Sequence, residues 1–240
     1  MRIKLWSLAC ALSLMFLTSC VTIVEEIFLN RDGSGRFVLS LDLSSIIVMR
    51  DILISETKIG KADSSKLSAE KYDSIVYLNN IADSVKRMFK RPDLIQRAHV
   101  RVRLDEPKGI MYMTVEFPFK DIEEINEFRQ DINRYTQRQR TVTQNDNAAL
   151  LGYLPSLTGS KKSIERSTAF TTSDKDDRYA ILSKAMLATA RVKTIYHLPR
   201  KVKSTTIPEA IISGRDCEIE LTYRDFISGR KSLDGKIHFK

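Results

Sequence analysis

Cysteine, glycine, proline and tryptophan are all scarce in this sequence, whose 240 residues include 3 Cys, 9 Gly, 6 Pro and 1 Trp. So few glycines and prolines exclude a collagen-like repeat, and 42% hydrophobic residues exclude a wholly disordered chain. Three cysteines in a chain of this length exclude a disulfide-stapled miniprotein, and the length suits one domain or at most two. Histidine is scarce as well: His99, His197 and His238 lie far apart, and none has a second His or Cys at metal-ligand spacing. The P-loop, the dinucleotide fingerprint, H-E-x-x-H and the serine elbow G-x-S-x-G are all missing. The nearest text to the elbow, Asp32-Gly33-Ser34-Gly35, reads as a turn. Asp174, Asp176 and Asp177 do not make a calcium loop, because Tyr179 and Ala185 stand where its glycine and glutamate belong. No catalytic residue, cofactor or metal is therefore expected.

What is present begins at the N-terminus. Arg2 and Lys4 precede the uncharged run Leu5 to Leu17, shorter than the roughly 20 apolar residues of a spanning helix. A charged start and a short apolar run form the layout of a secretory signal peptide. The run ends in Leu17-Thr18-Ser19-Cys20, which resembles the lipobox of bacterial lipoproteins. That resemblance implies a signal peptide over residues 1–19, a mature chain over 20–240, and acylation of the Cys20 sulfur and amine. A soft, nucleophilic thiol suits the thioether bond, and two or three acyl chains, at roughly 0.8 kcal/mol per buried CH₂, hold a protein on a membrane. A plain secreted chain or a signal anchor are the alternatives. Val21 and Thr22 follow where enteric bacteria place an Asp that retains the protein in the inner membrane, so the resemblance implies the outer membrane, facing the periplasm.

Cys10 would leave with the signal and Cys20 would carry lipid, which leaves Cys217 as the lone free thiol and no intramolecular disulfide. Cys217, Ile219, Leu221 and Tyr223 alternate with Glu218, Glu220 and Thr222, so the thiol falls on the apolar face of a strand.

Residues 21 to 30 and 36 to 43 read as a β-hairpin around Arg31-Asp32-Gly33-Ser34-Gly35. Ser44 or Ser45 is placed to cap a short helix through Leu53, although the β-branched residues suit a strand nearly as well. Tyr72, Ile75, Val76, Ala82, Val85 and Phe89 recur at three- and four-residue steps and predict a helix ending before Pro92. A second hairpin joins Ala98–Leu104 to Met111–Phe117 and stops at Pro118. Asp121 and Glu124 open a helix with the buried stripe Ile122, Ile125, Phe128, Ile132 and Tyr135. A polar excursion covers about 140–178, with a short hairpin near 163 to 171, and strands return near 188–198, 207–213, 216–223 and 235–240. The pattern predicts a single α+β domain with a mostly antiparallel sheet and two or three packed helices.

The strand and turn Glu25 to Gly35, together with Ile195-Tyr196-His197-Leu198-Pro199-Arg200-Lys201-Val202, resemble the mycobacterial LppM-type lipoprotein domain, and the chain as a whole resembles uncharacterised lipoproteins of Bacteroidetes type. The resemblance implies an α+β fold. It carries over no site residues, since Pro199-Arg200-Lys201 stands where that family tends to have Pro-Gly.

Charge is the uneven feature. Residues 21–160 carry 20 basic and 20 acidic side chains, residues 204–240 carry 6 and 6, and residues 161–203 carry 11 and 4. Export excludes nucleic acid as the everyday partner. For a domain held against a membrane, Lys161, Lys162, Arg191, Lys193, Arg200, Lys201 and Lys203 are candidate contacts to anionic lipid or polysaccharide, each contributing about 1 kcal/mol before screening. A solvated basic loop is the alternative. The sequence thus predicts an exported, lipid-anchored, non-catalytic envelope lipoprotein that acts as a binding or assembly component, with the membrane and an envelope protein as partners. Its rivals are an anionic lipid or glycolipid binder and an envelope hydrolase with a scattered active site.

Overall fold

Alternating apolar residues set the frame. Ile23 and Ile27 on strand β1 (Thr22–Leu29), and Phe37, Leu39 and Leu41 on β2 (Gly35–Asp42), point to one side and are buried, while Val24, Glu26, Arg36 and Ser40 face the other. The two strands pair antiparallel from Thr22↔Asp42 to Leu29↔Gly35, as the hairpin reading expects. Gly33 takes a positive φ of 91° in the turn, and Asp32 accepts hydrogen bonds from the backbone and hydroxyl of Ser34. The computed structural model describes residues 21–45, 47, 71–143, 155–167 and 190–240. The expected signal segment 1–19, Cys20, most of the 46–53 segment and much of the 140–178 excursion lie outside the described residues.

Six more strands complete an eight-stranded sheet: β3 (Lys71–Tyr77), β4 (His99–Asp105), β5 (Ile110–Phe119), β8 (Arg191–His197), β10 (Ile211–Ser213) and β11 (Asp216–Thr222). The order is β10-β11-β8-β1-β2-β5-β4-β3. Among the described residues the one parallel pair is β1 with β8, in register from Thr22↔Arg191 to Phe28↔His197; every other pairing is antiparallel. A second, four-stranded antiparallel sheet runs β6-β7-β12-β9, from β6 (Ser156–Ser160), β7 (Ser163–Ser167), β9 (Val202–Thr205) and β12 (Gly235–Phe239). The architecture is α+β as predicted, but the sheets dominate and the helices are few. The hairpin expected near 163 to 171 lies a little earlier, at 156–167, and builds this second sheet.

The core lies between the two sheets and the long helix α3 (Glu123–Thr143), which follows two short helices, α1 (Asp83–Lys86) and α2 (Pro92–Ile95). A fourth, α4 (Tyr223–Ile227), follows β11. Helix α3 begins where its sequence predicts, with Asp121 accepting from the Glu124 amide and Glu124 accepting from the Lys120 amide. Ile122, Ile125 and Phe128 are buried, Phe128 stacks on Phe117 with centroids 4.4 Å apart, and Tyr135 stacks on Phe89.

Two local expectations are corrected. Residues 71–77 form an edge strand, not the start of a helix, because they pair along their whole length with β4, from Lys71↔Asp105 to Tyr77↔His99. With only Tyr72, Ile75 and Val76 to read in that stretch, periods of 2 and 3.6 are not distinguishable, and the β-branched and aromatic content decides for the strand. Pro118 does not stop β5, which runs on to Phe119. It stands beyond Glu116, the last residue of β5 that pairs with β4, so its missing amide is not needed on that side.

Candidate functional site

The inner faces of the two sheets hold a buried charged cluster. Glu25 of β1 and Arg166 of β7 face each other across the sandwich, with Arg166 Nη2 donating to Glu25 Oε2 at 2.5 Å. Arg166 Nη1 also donates to the Tyr196 hydroxyl at 2.9 Å and to Thr194 at 3.2 Å, and Thr194 donates to Glu25. Arg129 of α3 completes the set, its Nη1 3.4 Å from Glu25 Oε1 as an ion pair that lacks hydrogen-bond alignment. Burial alone would raise the Glu25 pKa, but the guanidinium of Arg166, then that of Arg129, and hydrogen bonds from Arg166 and Thr194 outweigh it and hold the carboxyl below its ordinary value. Burial pushes the Tyr196 phenol up to about 12, and it pulls Arg129 down to about 10, so both keep their protons at neutral pH. All five side chains are buried, and their arrangement suits cross-linking two sheets better than chemistry on a substrate.

Sequence reading missed this cluster, yet a signal was there. Glu25 stands between Ile23 and Ile27 at period 2, and Arg129 stands on the helical stripe that holds Ile125, Phe128 and Ile132. A charge inside an apolar period marks a buried pair.

An open cleft of about 560 Å³ lies at the Leu29 end of β1. Its floor is Phe28, stacked on His197 with centroids 4.2 Å apart, and the Arg36 guanidinium covers the opposite face of the Phe28 ring at 4.2 Å. These three side chains form a cross-strand row, because Phe28 pairs with Arg36 on β2 and with His197 on β8. His197 Nδ1 lies 3.0 Å from Asp216 and Nε2 lies 3.2 Å from Glu26, so carboxylates hold the ring from both sides. Arg31, from the β1–β2 turn, and Arg215, from the β10–β11 turn, line the cleft beside Asn30 and Asp216. Neither arginine has an ion-pair partner among the described residues.

The structure splits the seven basic residues singled out by the sequence. Arg191 pairs with Glu220 at 2.7 Å and Lys193 with Glu218 at 2.7 Å, at or near the Thr22 end of the sheet. Lys161 and Lys162 form the β6–β7 turn, Arg200 and Lys201 lie in the loop after β8, and Lys203 lies on β9. Backbone bonds bring these last five to the Leu29 end: Val202 donates to Gly214, Lys240 to Lys201, and Phe239 to Lys162. None of the five has an ion-pair partner among the described residues. The other cysteine assignment is met, for Cys217 is fully buried and burial pushes its thiol up to about 11. No group of three or more potential metal ligands occurs among the described residues.

No family model matches the chain, and no curated protein matches it. A solved structure that it is similar to is the folded domain of the Mycobacterium tuberculosis LppM protein, determined by NMR, at 12% identity and a TM-score of 0.39 over 92% of this chain and 91% of that one.

Proposed function

We propose that this protein is an exported lipoprotein of the bacterial envelope, anchored by acylated Cys20, acting without catalysis as a binding or assembly component and facing the periplasm from the outer membrane. The observation that carries the reading is the position of Leu17-Thr18-Ser19-Cys20 directly before a core strand. Val21 is 3% exposed and β1 starts at Thr22, between β8 and β2 in the sheet. An acylated Cys20 leaves no tether, so the Thr22 end of the sheet would rest on the bilayer. The binding role draws support from His197, whose ring is held by two carboxylates rather than set beside a hydroxyl to be activated. Metabolic labelling with palmitate tests the anchor: the unaltered chain takes up label and partitions with detergent, whereas Cys20→Ala does neither. Unchanged processing and membrane retention of Cys20→Ala would overturn the reading.

A second reading is direct binding of anionic lipid or glycolipid through Lys161, Lys162, Arg191, Lys193, Arg200, Lys201 and Lys203. It draws on the five of these that lack acidic partners among the described residues. It expects sedimentation with anionic vesicles that weakens steeply with salt.

A further inference from the structure

We infer that the pole of the molecule at the Leu29 end of β1 binds a linear polyanion bearing carboxylate or phosphate groups, seated by Arg31 and Arg215 in the cleft over Phe28 and His197. The inference deepens the binding-component reading, and only its orientation relative to the membrane rests on Cys20 as the anchor.

Three observations converge there. Two arginines without ion-pair partners among the described residues come from separate turns to line one cleft. Planar guanidinium forks suit carboxylate and phosphate oxygens, which they engage in pairs. The one carboxylate lining the same cleft, Asp216, is engaged by His197 at 3.0 Å, which tempers its repulsion of an incoming anion.

Second, the positive charge continues beyond the cleft as a track. From the β10–β11 turn, backbone hydrogen bonds step from Gly214 to Val202, from Lys201 to Lys240, and from Phe239 to Lys162. Neighbouring strands lie about 4.8 Å apart, so Arg215, Lys201 and Lys162 mark a row along the strand ends of both sheets, with the end of β12 between the last two. A row of charges at such spacing fits a chain of repeating anionic groups better than a single small ion.

Third, this pole faces away from the anchor. Seven residue steps of β1 separate Thr22 from Leu29, roughly 23 Å at 3.3 Å per residue. That exceeds the Debye length of about 8 Å at physiological salt, so the anchoring leaflet would not attract these charges. The basic residues nearest the Thr22 end, Arg191 and Lys193, are already paired with Glu220 and Glu218. The occupant is therefore a polymer presented from outside the anchoring membrane.

The test uses the whole chain, purified in a neutral detergent, with fluorescent polygalacturonate as the carboxylate probe and polyphosphate as the phosphate probe. At low salt at least one probe binds, and raising the salt weakens it. The double variant Arg31→Gln/Arg215→Gln loses about tenfold or more in affinity, with an unchanged melting temperature because both positions are exposed. Arg101→Gln/Arg103→Gln, on β4 three strands away from β1, stays within about twofold. Which probe is favoured distinguishes a polymer of carboxylates from a polymer of phosphates. The inference is overturned if neither polymer binds, if both double variants weaken binding equally, or if only phosphatidylglycerol vesicles bind, the last result pointing to a membrane surface. Because Cys20 takes no part in this assay, its failure is separate from failure of the palmitate experiment.

Discussion

Glu25 is the residue on which the sandwich depends most visibly, since it is fully buried and two guanidinium groups converge on it. Removing one partner of such a pair leaves an uncompensated charge in the interior. Arg166→Met should cost about 3–5 kcal/mol in urea unfolding, whereas replacing the whole cluster by apolar residues of like volume should cost far less. The pH dependence follows in sign from the lowered Glu25 pKa. Its stabilising contribution is complete above the ordinary carboxyl value of 4.5 and is lost as pH falls through the lower folded value. Glu25→Gln should accordingly flatten the acid limb of the stability profile, measured by urea titrations from neutral pH downward. Cys217 gives a second residue-level expectation. Its thiol is buried and pushed up to about 11, so iodoacetamide at pH 8 should leave the Cys217 peptide unmodified in the folded chain and label it in urea, as read by mass spectrometry. Of these two sites the thiol was legible from alternation alone. The charged cluster was not, because pairing Glu25 with Arg166 requires knowing that residues 141 apart in sequence face one another.

Among elements, the β1–β2 hairpin and helix α3 were readable because local signals agree: alternation, a glycine turn and a capping pair all name the same boundaries. Strand β3 was not, since Tyr72, Ile75 and Val76 fit either period and only pairing with β4 settles the matter. The β6–β7 hairpin was half legible for a related reason. Ser156–Ser160 has the polar composition of a loop, but Asn126 of α3 clamps the Leu157 backbone from both directions, donating to its carbonyl at 2.6 Å and accepting from its amide at 2.8 Å. Tight approach at the hairpin yields a further prediction. A Cβ on Gly35 would stand 2.0 Å from the Phe28 carbonyl oxygen and 2.4 Å from the Phe119 ring. Gly35→Ala should therefore destabilise by about 1–3 kcal/mol through overpacking, a loss that a thermal melt resolves. Gly33→Ala tests a different cause, because a Cβ there meets nothing and only its φ of 91° opposes the change.

At the scale of the whole molecule, the two ends of the sandwich differ in electrostatics. Arg191 and Lys193 are paired with acids toward the Thr22 end, whereas Lys161, Lys162, Arg200, Lys201 and Lys203, which have no ion-pair partner among the described residues, gather toward the Leu29 end, where Arg36 nonetheless pairs with Glu116. Composition reported the excess of basic residues in 161–203 but not this division, which arises only when β9 and β12 carry Lys201 and the Lys162 turn to the same rim. The topology has a temporal consequence too. A chain that emerges from its N-terminus can form the β1–β2 hairpin at once, yet the other edge of β1 belongs to β8, with Glu25 and Thr194 separated by 169 positions. Contacts that distant slow folding, and an apolar strand left with a bare edge invites intermolecular pairing. Until Arg191–His197 has arrived, Ile23 and Ile27 border an unfinished sheet, so the nascent protein would depend on a holding chaperone for as long as its own synthesis requires.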